Sequence, residues 1–247
     1  KFGFFSSEED TYREIADELG IICLSEANQH LRFARHPLVY LMEAADDICY
    51  EIMDIEDAHT LKLLTYEETE SLLLGFFDEE SQSRIRQRVI EEGVTDENEK
   101  VVYMRACAVG CLEHECVQAF VDNEAAILAG TFEGSLIGAI SPVPRDAYKR
   151  CTKVSKAKIY QSKPVLDVEL SGYHIMETLM HDLIGAAVHP EKYHSKQLIH
   201  RFSSQYDIYS DDLETRIMAV IDYISGMTDI YALDIYQKIN GISLPII

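Results

Sequence analysis

The sequence predicts an all-α fold, and three observations carry that prediction. Glycine and proline are scarce, 12 and 6 among 247 residues, so few points interrupt a helix. Two long runs, residues 36–64 and 96–130, repeat their apolar positions near every third and fourth residue. Alternating apolar–polar stretches of strand length are few. At 47% hydrophobic, the chain can fill one large core or two small ones.

Ser6 and Ser7, followed by Glu8, Glu9 and Asp10, offer caps and N-terminal acids for a helix that Gly20 stops after Leu19. Pro37 then opens the long helix of residues 36–64, with a fixed φ and no N–H to satisfy. Its apolar positions are Leu38, Leu41, Met42, Ala45, Ile48, Cys49, Ile52, Met53 and Ile55. Thr65 and Glu68 fit a capping box for a helix that ends at Gly75. Asp78 caps the next helix, which Gly93 terminates. From Asp96 a long helical period runs through Val101, Met104, Ala108, Leu112, Cys116, Phe120 and Ile127.

Gly130, Gly134, Gly138 and the Pro142–Pro144 pair mark a subdomain boundary or a loop over a site, dividing the chain into residues 1–130 and 131–247. A basic helix follows from Arg145. Residues 165–170 read as a short extended piece or a helix start. Helices are expected over residues 173–188, 195–203, 211–225 and 228–239.

Composition excludes several functions. A net charge of −21 argues against nucleic-acid binding by the surface as a whole. Apolar runs fall far short of 18 residues, so no membrane span or membrane partner is expected. Six cysteines without paired spacing suit reduced thiols in a cytoplasmic protein. The lack of a glycine-rich loop before a Lys-Ser/Thr pair argues against a P-loop mechanism. No Ser or Cys nucleophile has a recognisable partner base.

The long helix carries the strongest chemical pattern. Glu43, Asp46, Asp47, Glu51, Asp54, Glu56 and Asp57 line its polar side with no basic residue among them. Like charges three or four residues apart cost about 0.2–0.5 kcal/mol each in an isolated helix. Asp46, Tyr50 and Asp54 are spaced by four and line up within about 12 Å of helix axis. Such a row suits holding a cation, packing on a ring and accepting a hydroxyl hydrogen bond. Spacing alone favours a solvated acidic face with a half-buried tyrosine, since charge runs are usually solvent faces.

A second pattern is the cationic face of Arg145, Lys149, Lys153 and Lys156, spaced four, four and three. A triphosphate, a regulatory nucleotide or a nucleic-acid single strand would be drawn to it; so would the acidic half of the chain or of a neighbouring subunit. Cys107, Cys111 and His114 share a helix face, but their apolar neighbours make the cysteines small core residues. His174 and His181 are about 10 Å apart along their helix, too far to share one ion unaided. The His181–Asp182 pair reads as a surface pair.

Three stretches carry a family resemblance. RHPLVYLMEAADDICYEIMDIEDAH, residues 35–59, resembles the last metal-ligand helix of the deoxyguanosinetriphosphate triphosphohydrolases, a branch of the HD-domain phosphohydrolases. SGMTDIYALDIYQKING, residues 225–241, resembles their C-terminal helical segment, and IYQSKPVLDVELSGYHIMETLM, residues 159–180, fits the intervening region more loosely. The resemblance implies an HD-type helical bundle. It also implies a divalent metal ion such as Mg or Mn, hydrolysis of dGTP or another deoxynucleoside triphosphate to deoxynucleoside and triphosphate, and oligomers. Residue by residue, it makes Asp46 the last metal ligand of the H…HD…D pattern, Tyr50 the residue against the deoxyribose, and Asp54 the carboxylate near its 3′ side.

Residues before His36 contain only His30 and no His-Asp pair, and His181–Asp182 follows Asp46, reversing the family order. The chain therefore reads as a C-terminal portion, inactive alone, with residues 1–130 finishing the catalytic domain. No catalytic residue beyond the ligand can be nominated. The rival reading is a non-catalytic helical module for regulation or oligomerisation, binding a nucleotide or an acidic partner.

Overall fold

The computed structural model describes residues 3–25 and 31–243; His30 lies outside them. Among the described residues the fold is helical throughout, with one isolated antiparallel bridge between Cys23 and Phe33. Two compact units divide between Ser162 and Lys163. Residues 131–162, grouped by sequence with the second domain, pack with the first unit.

In the first unit α1 (Glu9–Leu19) ends at Gly20, whose φ of 66° suits a residue without Cβ. Phe4, Tyr12 and Phe33 stack beside it, with centroids 4.4 and 5.0 Å apart. Helix α2 (Pro37–Thr60) opens with Pro37 in its first turn, and His36 Nδ1 accepts from the Leu38 N–H at 3.2 Å. Thr65 and Glu68 form the expected reciprocal cap of α3 (Tyr66–Leu74). Asp78 caps α4 (Glu79–Glu91) at 2.8 Å, and Asp96 caps α5 (Glu97–Asp122) at 3.0 Å. Short helices α6 (Glu124–Leu128) and α7 (Leu136–Ala139) lead to α8 (Pro142–Val154), which continues into a π-turn at Ser155–Ile159.

The core sits between α2 and α5. Ile48, Ile52 and Ile55 meet Val101, Met104, Ala108 and Leu112, and α3, the turn after it and α8 close the sides through Leu73, Phe76, Ala147 and Cys151. This corrects the expected apolar stripe of α2. Tyr40, Ala44 and Ala58 are buried with the isoleucines, whereas Leu38, Leu41, Met42, Ala45 and Cys49 are exposed. Glu51, expected on the solvated acidic side, is 7% exposed.

The second unit is built on α9 (Lys163–Val188), against which α10 (Tyr193–Ile199), α11 (Leu213–Ser225) and α12 (Asp229–Ile239) pack. Residues 165–170 are helical, as part of α9. The core gathers Leu179, Leu183, Leu198, Ile208, Val220, Ile224 and Ile235. Thr228 caps α12 through Tyr231 N–H at 3.3 Å.

Candidate functional site

Helix α2 presents Asp46, Tyr50 and Asp54 on successive turns. Asp46 is exposed, and Tyr50, at 70% exposure, has its ring open to solvent. Asp54 is half-buried, and its Oδ2 accepts a 2.5 Å hydrogen bond from Tyr160 Oη. That bond, with burial and the charges of Asp54 and Glu51 behind it, raises the Tyr160 phenol far above the usual tyrosine range. The phenol therefore stays protonated and donates. Asp54 Oδ1 is left without a partner among the described residues.

The neighbouring edge of α2 is held by hydroxyls. Tyr148 donates to the Asp47 carbonyl at 3.0 Å, and Thr152 and Ser155 each donate to the Glu51 carboxylate at 2.7 Å. No cation pairs with Glu51 within 4 Å among the described residues, so two neutral donors satisfy a buried charge. Burial first, then the charges of Asp47 and Glu51, push the Tyr148 phenol upward. Partial desolvation likewise raises the Asp47 carboxyl, with Glu43 and Asp46 adding to it.

The π-turn aligns this set. Tyr160 N–H bonds to Ser155 C=O at 2.9 Å, an i→i+5 link. With the wider turn Ser155 and Tyr160 both face α2; in a regular α-helix a residue five positions on would point elsewhere. Sequence inspection placed Glu51 on the polar side of the helix and did not nominate Tyr148, Thr152, Ser155 or Tyr160; helical periodicity does not reveal contacts between helices, nor the widened turn that brings Ser155 and Tyr160 to α2. The one signal was the lone Glu51 among apolar neighbours at 48, 52 and 55.

Repulsion along α2 is offset at its ends: Arg35 Nη1 meets Glu43 at 2.5 Å, and Arg105 Nε meets Glu56 at 2.7 Å. The four basic residues do not form one continuous α-helical face. Arg145, Lys149 and Lys153 lie on α8, whereas Lys156 lies in the π-turn. Lys149 approaches Asp146 at 3.8 Å, and Lys153 and Lys156 are exposed with no ion partner among the described residues. Arg145 has a buried Nε with no hydrogen-bond partner.

His181 is 86% exposed and pairs with Asp182 at 3.1 Å on α9. Cys107 and Cys111 are half-buried, and burial raises both thiols. Among the described residues no three His, Cys, Asp or Glu side chains converge as an ion site. Asp46 thus belongs to no group of three or more candidate ligands among the described residues, and these residues do not by themselves fit a metal ion.

A family model described as a phosphohydrolase-associated domain matches residues 139–238, spanning the end of the first unit and most of the second. A deoxyguanosinetriphosphate triphosphohydrolase-like protein of Pseudomonas aeruginosa is 34% identical over 99% of this chain and 55% of its own length. One from a Synechocystis species is 30% identical over 99% of this chain and 53% of its own length. A deoxyguanosinetriphosphate triphosphohydrolase of Yersinia enterocolitica is 26% identical over 97% and 54%. The chain spans about half the length of these curated relatives. Over the stretch it covers, the chain is similar to deoxyguanosinetriphosphate triphosphohydrolase-like proteins.

Proposed function

We propose that this chain supplies the sugar-facing wall of a deoxynucleoside triphosphate triphosphohydrolase whose remaining residues lie outside it. The observation that carries the reading is the row on α2: exposed Asp46, open Tyr50, and Asp54 with one oxygen held by Tyr160 and the other free. The relatives' names support the reaction class. In this reading the Tyr50 ring packs against the deoxyribose, where a 2′-methylene fits and a 2′-hydroxyl meets carbon. Asp54 Oδ1 accepts from the 3′-hydroxyl, and Tyr160 fixes the carboxylate for that contact. A substrate without the hydroxyl leaves Asp54 unpaired, which is how a polar site rejects an analogue.

The resemblance implies a divalent ion, to which Asp46 would contribute one carboxylate, the others coming from outside this chain. Such an ion lowers the pKa of bound water and polarises a phosphoryl oxygen. Lys149, Lys153 and Lys156, open on α8 and the π-turn, are proposed to draw the triphosphate, with Arg145 behind them. Assembly into oligomers through the long helices and a cytoplasmic location complete the reading. No helix among the described residues is long and apolar enough to cross a membrane.

The test is Asp46→Ala in the intact protein. Activity and bound metal are expected to fall to background while the helical circular-dichroism signal holds, because the side chain is exposed and surrounded by like charge. Full activity in the variant rejects Asp46 as a ligand, and loss of helical signal makes it a structural residue.

A further inference from the structure

The second unit contains a cavity of about 400 Å³ between α10, the 208–211 loop and the first turn of α11. Lys196 on α10 and His200, which caps its C-terminal end, line it four residues apart, and Arg216 closes it from α11. Pro190, Ile199, Ile208 and Tyr209 supply apolar wall. The size falls within the range of small-molecule sites.

Arg216 is held rigidly. Its Nε donates to the Ala187 carbonyl at 2.9 Å, and its Nη1 to the carbonyls of Ser210 at 2.8 Å and Asp211 at 3.1 Å. These bonds satisfy the end of α9 and fix the loop, while Nη2 keeps its donors free among the described residues. No carboxylate lies within 4 Å of Arg216 or of Lys196 among those residues. Asp212 Oδ2 is committed to Thr215 N–H and Oγ, both at 2.8 Å. His200 Nδ1 meets Tyr209 Oη at 3.4 Å, which leaves Nε2 to the cavity. A guanidinium, an ammonium and an imidazole thus share one pocket, with Asp211 as its single acid.

We propose that this pocket binds a phosphate group, as free phosphate or as a phosphate monoester. A pre-organised guanidinium with free N–H donors suits phosphate oxygens, and Lys196 adds a point charge that opposes the repulsion of Asp211. The apolar wall beside Tyr209 is where the organic part of a monoester would rest. The proposal is independent of the α2 site.

The experiment is a titration of the full chain with inorganic phosphate and, separately, with phenyl phosphate. It is followed through the His200 imidazole NMR signals, which His200→Gln assigns. Saturable shifts are expected below about 10 mM, with Lys196→Gln weakening binding about 10-fold, as for one lost charge-assisted contact. Tighter binding of phenyl phosphate identifies a monoester site, and equal or tighter binding of phosphate a free-phosphate site. Lys196 and His200 are exposed, so these variants keep the fold even if Arg216→Gln does not. Absence of saturable His200 shifts, or unchanged affinity in Lys196→Gln, overturns the proposal.

Discussion

Tyr160 holds Asp54 by a single short bond, so removing one oxygen separates orientation from packing. Tyr160→Phe keeps the ring and is expected to lower kcat/KM for deoxynucleoside triphosphates about 10-fold in the intact protein, with the melting temperature nearly unchanged. The magnitude is that of one hydrogen bond to a charged group. A melting loss of several degrees with intact kcat/KM would make the bond structural. Cysteine accessibility supplies a second residue-scale test. Burial raises the Cys116 thiol to about 11 and the Cys151 thiol to about 12, with nearby carboxylates adding to both, whereas Cys23 and Cys49 are exposed. A thiol reagent at pH 8 is expected to label Cys23 and Cys49 within minutes, and Cys116 and Cys151 only after denaturation, as mass spectrometry would read. Spacing by four marked Asp46, Tyr50 and Asp54 in the sequence. The burial of Glu51 was not legible, because a carboxylate on an acidic helix face usually meets water and the hydroxyls of Thr152 and Ser155 that satisfy it come from a distant segment.

At the scale of elements, the join between α2 and the segment from α8 through the π-turn is a set of hydroxyl-to-oxygen bonds over a shared apolar floor. Ser155→Ala leaves one Glu51 oxygen without its donor and is expected to cost about 1–3 kcal/mol, measured by urea unfolding. Glu51→Gln in the same background should recover part of it, since a neutral amide is cheaper to bury than an unpaired carboxylate. No loss in Ser155→Ala would mean that water replaces the hydroxyl. Alkaline stability tests the same join. The Cys151 thiol is raised in the fold from an ordinary 9.0 to about 12. Its contribution is therefore complete below about pH 9 and is lost as pH rises toward 12. Wild type is expected to lose more stability than Cys151→Ala between pH 9 and 11; parallel losses would contradict the shift. Gly130 closes the turn after α6 at φ 67°, and an added Cβ would come 2.9 Å from Ala34 Cβ. The glycine was legible as a break, but its contact with Ala34 depends on tertiary packing. Caps at Thr65, Asp78 and Asp96 were legible because capping is local chemistry. The π-turn was not, since nothing in SKAKI announces it.

For the whole molecule, the division at Ser162 and Lys163 shows why a glycine- and proline-rich stretch misleads. Gly130 to Pro144 breaks helices, yet α7 and α8 return to the α2–α5 core through Leu136, Ile137 and Ala147. The helical class was legible from composition and period, whereas the grouping of helices into units depends on long-range packing. Residues 163–247 have their own core and are expected to unfold cooperatively when expressed alone; a gradual, featureless melt would count against that. The chain Lys1–Ile247 by itself is expected not to release triphosphate from dGTP, because no group of three or more candidate ligands gathers among the described residues. The most direct measurement of the central claim, that α2 lines the sugar, is kcat/KM for dGTP and GTP in the intact protein, wild type beside Tyr50→Ala, with a melting curve for each. The account predicts that dGTP turnover falls and the dGTP-to-GTP preference narrows at least about 10-fold, because the ring it places against the deoxyribose would be lost, with little change in melting because that ring is exposed. A preference that stays fixed while stability drops would contradict it and leave Tyr50 a packing residue.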